Sequence, residues 1–156
     1  LKGGEQQVAR FALRVPPEAR ERSYRIVLQE VPRQRVEMGF STVLRMLVPV
    51  FVPTPNPSAA MEWAVALAAD GLAVTARNKG NVHVQIKSLK ISGDQGAPLE
   101  KQANIYVLPG AVRRIKLATA RPLAPGMAIL LTAESDQGPL SANLRVGAAE
   151  GAPVPQ

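Results

Sequence analysis

The chain has no cysteine in its 156 residues. That excludes disulfides, thiol catalysis and thiolate metal sites. It has one histidine, so a Ser/His/Asp arrangement would have to use His83. One imidazole without thiolates also leaves a zinc site dependent on carboxylates, and no metal or cofactor is expected. Three Phe, two Tyr and one Trp are few for stacking on bases or sugars. No apolar run reaches the ~18 to 20 residues of a membrane helix. "SGDQG" lacks the spacing of a phosphate-binding loop, and Gly93 and Gly96 read as turn residues. The acids are dispersed, with no paired-carboxylate site. Every enzyme class therefore lacks its minimum parts, and the chain reads as non-enzymatic. No signal peptide is visible and the chain opens with Leu1, which reads as a mature chain, an expressed portion or a fragment.

What is present suits a packed β protein. Hydrophobic residues make up 46% of the sequence, enough for a core. Fourteen prolines and 12 glycines punctuate it at the short intervals of an all-β fold. The net charge is +7 and the pI about 10.4. Nucleic acid is the first partner such a balance suggests. The arginines, however, come as scattered pairs: Arg10 and Arg14, Arg20 and Arg22, Arg33 and Arg35, Arg113 and Arg114. Solubility or attraction to an acidic partner explains that distribution better than a nucleic-acid surface.

Period-two alternation marks the strands. In "VARFALRVPP", Phe11, Leu13 and Val15 share one face, which predicts a half-buried strand. "SYRIVLQEVP" predicts a second, with Tyr24, Ile26 and Leu28 together. Val36, Met38 and Phe40 alternate in "RQRVEMGF" and lead into "STVLRMLVPVFVP", the most apolar run of the chain. The prolines of "PTPNPS" form a stiff linker, which sets the boundary at residues 54–59. "NPSAAMEWAVALAADG" fits a helix capped by Asn56 and Pro57, and equally a strand with Trp63, Val65 and Leu67 followed by an Asp70-Gly71 turn. Asn78 to Asn81 is a turn. Val82, Val84 and Ile86 change parity to Leu89 and Ile91, which predicts a bulge near Ser88. Ile105 and Val107, then Ile115 and Leu117, then "GMAILLTAES", then Leu140 to Val146 complete the series.

Residues 60–147 thus carry about seven strands at sandwich spacing. Residues 1–53 carry three, half of such a sandwich and too few to bury a core. Residues 148–156 form a loose tail. Either sequence upstream belongs to the first unit, or another chain completes it. The apolar run before the linker is then open to two readings. It is a central strand of the chain's own sheet, or it is a strand made to enter another protein.

The order of these segments carries a resemblance. An alternating strand after "GGEQQ", then "YRIVLQEVP", "LRMLVPVFVP", a proline linker, a Trp-bearing strand, "ARNKGNVHV" and "YVLPGAVRRIKL" together resemble the periplasmic pilus (fimbrial) chaperones of the chaperone–usher pathway. They are most similar to the non-classical, spore-coat-like branch. The resemblance covers residues 3 to 147. It implies an immunoglobulin-like β-sandwich, complete as a second domain over 60–147. The last strands of a first immunoglobulin-like domain, over 1–53, would precede it. It also settles residues 60–71 as a strand with Trp63 inward.

The function implied is donor-strand complementation in the periplasm, without ATP. A pilin subunit lacks the last strand of its fold, the chaperone supplies one, and the subunit passes to an outer-membrane usher. The implied donor residues are Val36, Met38, Phe40, Leu44, Met46 and Val48. Much of the family grips the subunit's C-terminal carboxylate with an Arg of the first strand and a Lys late in the donor strand. The corresponding late position here is Val48, so Arg45 is the nearest candidate anchor. Pilin subunits and an usher are the expected partners, with no nucleic acid and no membrane insertion. Self-association through the donor strand or the incomplete first unit is a further expectation. The rival readings are an immunoglobulin-like adhesion or carbohydrate-binding module and a basic nucleic-acid-binding β domain.

Overall fold

The computed structural model describes residues 6–31, 42–93, 96–119 and 124–148. Among them there are nine strands and no helix, and the chain is all-β. β1 (Arg22–Gln29) and β2 (Arg45–Val52) form a two-stranded antiparallel sheet. The other seven are β3 (Met61–Ala68), β4 (Gly71–Asn78), β5 (Val84–Gly93), β6 (Leu99–Val107), β7 (Val112–Ala118), β8 (Ala128–Ser135) and β9 (Gly138–Gly147). Their spatial order is β6-β5-β8-β9-β3-β4-β7.

This ribbon folds on itself into an immunoglobulin-like β-sandwich. One layer is β6-β5-β8-β9 and the other is β3-β4-β7. The two are joined by a short parallel pairing of β3 with β9, at Val65↔Val146 and Ala66↔Gly147. Where the free edges of β6 and β7 approach, the Lys101 ammonium donates to the Lys116 carbonyl at 2.7 Å.

The alternation read from the sequence explains the core. Leu72, Val74 and Ala76 of β4, Ile115 and Leu117 of β7, and Ile129, Leu131 and Ala133 of β8 all point between the layers. On β5, Val84 and Ile86 are buried and so are Leu89 and Ile91, although their parity differs. A register shift between Ile86 and Ser88 reconciles them, turning both pairs inward. Trp63 is half-buried and packs on this core from β3. The β3–β4 turn lies at Ala69–Asp70, and Gly71 follows it at φ +144°. A Cβ on Gly71 would stand 2.2 Å from the Leu117 carbonyl oxygen, so only glycine lets β7 pass this close.

The first strand expected from the sequence does not form. Residues 6–20 carry no strand, and Phe11 is 62% exposed. Alternation shows that a segment could line a sheet, but a strand also needs a neighbour for its backbone groups. No described strand pairs with this segment. The expected strand residues Val36, Met38 and Phe40 lie outside the described residues.

Candidate functional site

β1 and β2 run against each other from Arg22↔Val52 to Gln29↔Arg45. The side chains of Tyr24, Ile26 and Leu28 stand opposite Val50, Val48 and Met46. All six are apolar and share one face of the hairpin, because side chains alternate. None is fully buried; Leu44, just before β2, is 58% exposed, Met46 46% and Val48 42%. Three of the donor residues expected from the sequence, Leu44, Met46 and Val48, therefore project on one open apolar face. Arg45 is on the opposite face, exposed, at the end of the hairpin remote from the sandwich.

The backbone hydrogen bonding distinguishes the two edges. The Glu30 N–H donates to the Leu44 carbonyl at 2.8 Å. Bonded and non-bonded pairs alternate along an antiparallel ladder. Leu28/Met46, Ile26/Val48 and Tyr24/Val50 are then bonded across the hairpin. Gln29/Arg45, Val27/Leu47, Arg25/Pro49 and Ser23/Phe51 turn their N–H and C=O groups outward. Pro49 falls in the outward class, where its missing N–H leaves the β1–β2 ladder intact. No described strand occupies either outer edge.

The base of the hairpin is fastened to the sandwich. Phe51 stacks on His83, with ring centroids 3.7 Å apart and planes 14° from parallel. Tyr106 of β6 lies beside both, its centroid 5.6 Å from Phe51 and 5.7 Å from His83. Glu21, just before β1, accepts the His83 backbone N–H at 3.0 Å and lies 2.7 Å from ring atom Nδ1. An ionised carboxylate can only accept, so a hydrogen bond here requires a proton on Nδ1. On the other side of the ring, Nε2 is 3.4 Å from Asp136 Oδ2. The two acids touch opposite nitrogens and so do not converge on one ion. Among the described residues, no cluster of His, Asp and Glu is arranged to hold a metal.

Two asparagines complete the joint. Asn81 Nδ2 donates to the carbonyls of Asn56 and Ala19, while its Oδ1 accepts the Ser58 N–H at 2.7 Å. It ties the linker and the approach to β1 into one turn. Asn78 is fully buried; its Nδ2 donates to the Val82 and Val107 carbonyls, and its Oδ1 accepts the Gly80 N–H.

Between the hairpin and the sandwich lies a cavity of about 590 Å³. Arg25, Leu47, Pro49 and Phe51 line it from the hairpin, and Asn104, Tyr106, Leu108 and Arg113 from the sandwich. Neither Arg25 nor Arg113 forms an ion pair among the described residues. The cavity thus offers two cations beside apolar and aromatic walls, a setting suited to a carboxylate on an apolar chain.

The sequence pointed to the apolar strand but not to the residues that line this cleft. Arg25 and Arg113 are 88 positions apart, and each looks like a solvated charge on an alternating strand. Nothing local marks Phe51 as the partner of His83. The single available signal was the density of Asn, Gly and His in "ARNKGNVH", which fits a turn that must satisfy several backbones. A scan against protein-family models and a search of curated proteins both return no match.

Proposed function

We propose that the chain is a periplasmic pilus-assembly chaperone that offers β2 to a pilin subunit with an incomplete sheet, without enzymatic chemistry or ATP, before an outer-membrane usher takes the subunit. One observation carries this reading. β2 is paired on one side only among the described residues, and Leu44 just before it and Met46 and Val48 within it are exposed on one face. A groove missing one strand requires both features: unpaired backbone groups, and apolar side chains at every second position. Arg45 and Leu47 supply outward N–H and C=O groups for the added ladder, and Pro49 ends the run of donors.

Burial of Leu44, Met46 and Val48 in a subunit would contribute roughly 4.5 to 9 kcal/mol before ordering costs, at ~1.5 to 3 kcal/mol per side chain. Arg25 and Arg113, which share the cleft cavity, are better placed than Arg45 to receive a carboxylate at the foot of that strand. The direct test is capture of a pilin subunit by the wild-type chain and by Met46→Asp and Val48→Asp. Capture lost in both, with the sandwich still folded, supports the reading. Unchanged capture contradicts it.

A further inference from the structure

His83 joins the two parts of the chain through a titratable ring. On the hairpin side, Phe51 lies against the ring, and Glu21 reaches Nδ1 at 2.7 Å. On the sandwich side, Asp136, in the turn after β8, stands 3.4 Å from Nε2, and it also accepts the Gln85 N–H at 2.7 Å. Tyr106 of β6 presents its ring 5.7 Å away. Arg25 and Arg113 share the cavity that Phe51 and Tyr106 wall. The Glu21 side chain is only 6% exposed, and a carboxylate buried that deeply is stable only beside a cation. Arg22, next to it in sequence, is paired with Glu18. Among the described residues, the cationic partner that Glu21 meets is His83. A neutral ring bonded through Nδ1 gives Glu21 no counter-charge, and its Nε2 lone pair faces Asp136, acceptor against acceptor. A proton on Nε2 removes both faults. Nε2 becomes a donor toward Asp136, Glu21 gains a charge-assisted bond, and the cation gains the face of Phe51.

We propose that His83 is a proton-operated fastener: protonation tightens the hairpin on the sandwich, and the joint loosens as pH rises through the histidine range. A proton shifts an equilibrium only by its differential affinity for the two states. Asp136 belongs to the sandwich and stays beside His83 whether or not the hairpin is docked. Glu21 and Phe51 meet the ring only in the docked state, so they carry the coupling. The docked state therefore binds the proton more tightly. Its extra stabilisation is present at low pH and lost as pH rises. Phe51 and Tyr106 also line the cleft cavity, so the same proton holds the cleft in shape. The fastener concerns how the hairpin is held and stands or falls independently of strand donation.

Hydrogen exchange at the His83 amide tests this, because that N–H donates to Glu21 across the joint at 3.0 Å. Its protection factor, taken against the intrinsic rate at each pH, should fall about tenfold between about pH 5 and about pH 8. The Leu131 amide in β8 should keep its factor over the same range. His83→Gln has no titrating ring and should show protection independent of pH. Glu21→Gln keeps an acceptor but loses the charge, and should lose most of the dependence. Asp136→Asn keeps the acceptor for the Gln85 N–H and should retain the dependence. Fluorescence of Trp63, on β3 in the sandwich, reports that each variant remains folded. Constant protection in the wild type overturns the proposal. So does a dependence that survives in His83→Gln or in Glu21→Gln, or one that Asp136→Asn abolishes. An equal fall at His83 and Leu131 overturns it as well, because the proton would then act on the whole fold and not on the joint.

Discussion

Phe51 lies nearly flat on His83, 3.7 Å from it, and joins a strand that is otherwise open to solvent to a packed sandwich. The contact fixes the base of the hairpin. The imidazole is held at Nδ1 by Glu21, which precedes the partner strand, so both strands of the hairpin reach the same ring. Removing Phe51 therefore loosens the whole hairpin base rather than one side chain. Phe51→Ala should lower hydrogen-exchange protection of the His83 amide, which donates to Glu21, about fivefold. The Leu131 amide, deep in β8, should keep its protection. Equal change at both sites would mean that the stack serves global stability instead.

Asn78 should be among the most sensitive positions of the sandwich. It makes two buried hydrogen bonds and one part-buried one, to three different backbone groups. Asn78→Ala removes the side-chain partner of the Val82 and Val107 carbonyls and of the Gly80 N–H. At ~1 to 3 kcal/mol per buried group left unsatisfied, a loss of roughly 1 to 3 kcal/mol is expected. Asn78→Asp keeps the acceptor but loses both donors and brings in a charge, so it should be no better. Urea unfolding followed by Trp63 fluorescence measures both.

Two glycines separate steric crowding from backbone strain. A Cβ on Gly80 would stand 2.2 Å from the Ser58 carbonyl oxygen, in a turn where Asn81 also binds Ser58. Gly138, the first residue of β9 after the turn at Asp136–Gln137, has φ +101° but open space around a Cβ. Gly138→Ala should lose only the ~1 to 2 kcal/mol of an unfavourable φ. Gly80→Ala should displace the linker, seen as loss of protection at the Ser58 amide, with destabilisation of roughly 1 to 3 kcal/mol. The reverse ranking of linker protection would contradict this account of the turn.

Legibility in the sequence followed the range of the interaction. β4, β5, β7, β8 and β9 carry alternating apolar residues between turn signals, and their core positions were readable because burial of one face imposes period two; of β6 only the end at Ile105 and Val107 was legible, because Glu100, Lys101 and Gln102 break the alternation of its first half. The parity change from Ile86 to Leu89 announced the register shift, since both pairs had to face inward. β3 was ambiguous: its alanines favour a helix locally, and the sheet between β4 and β9 overrides that preference. "VARFALRVPP" shows the converse. Its pattern is as regular as any other, yet without a described neighbouring strand it forms no strand and is largely exposed. The cleft was the least legible part. Its cavity joins Arg25 and Arg113 through a hairpin register and a sandwich topology that no local window contains. Pro49 was visible as a residue, but its meaning depends on which pairs of the ladder are bonded.

The central claim is that β2 is a strand for use by another protein. It is tested most directly by mixing the purified chain with a pilin subunit that lacks its last strand and mapping backbone exchange. The account predicts new protection at the Arg45 and Leu47 amides, which point away from β1. Protection at Met46 and Val48, already bonded to β1, should change little. Protection confined to the loops of the sandwich, with Arg45 and Leu47 exchanging as in the free chain, would contradict it.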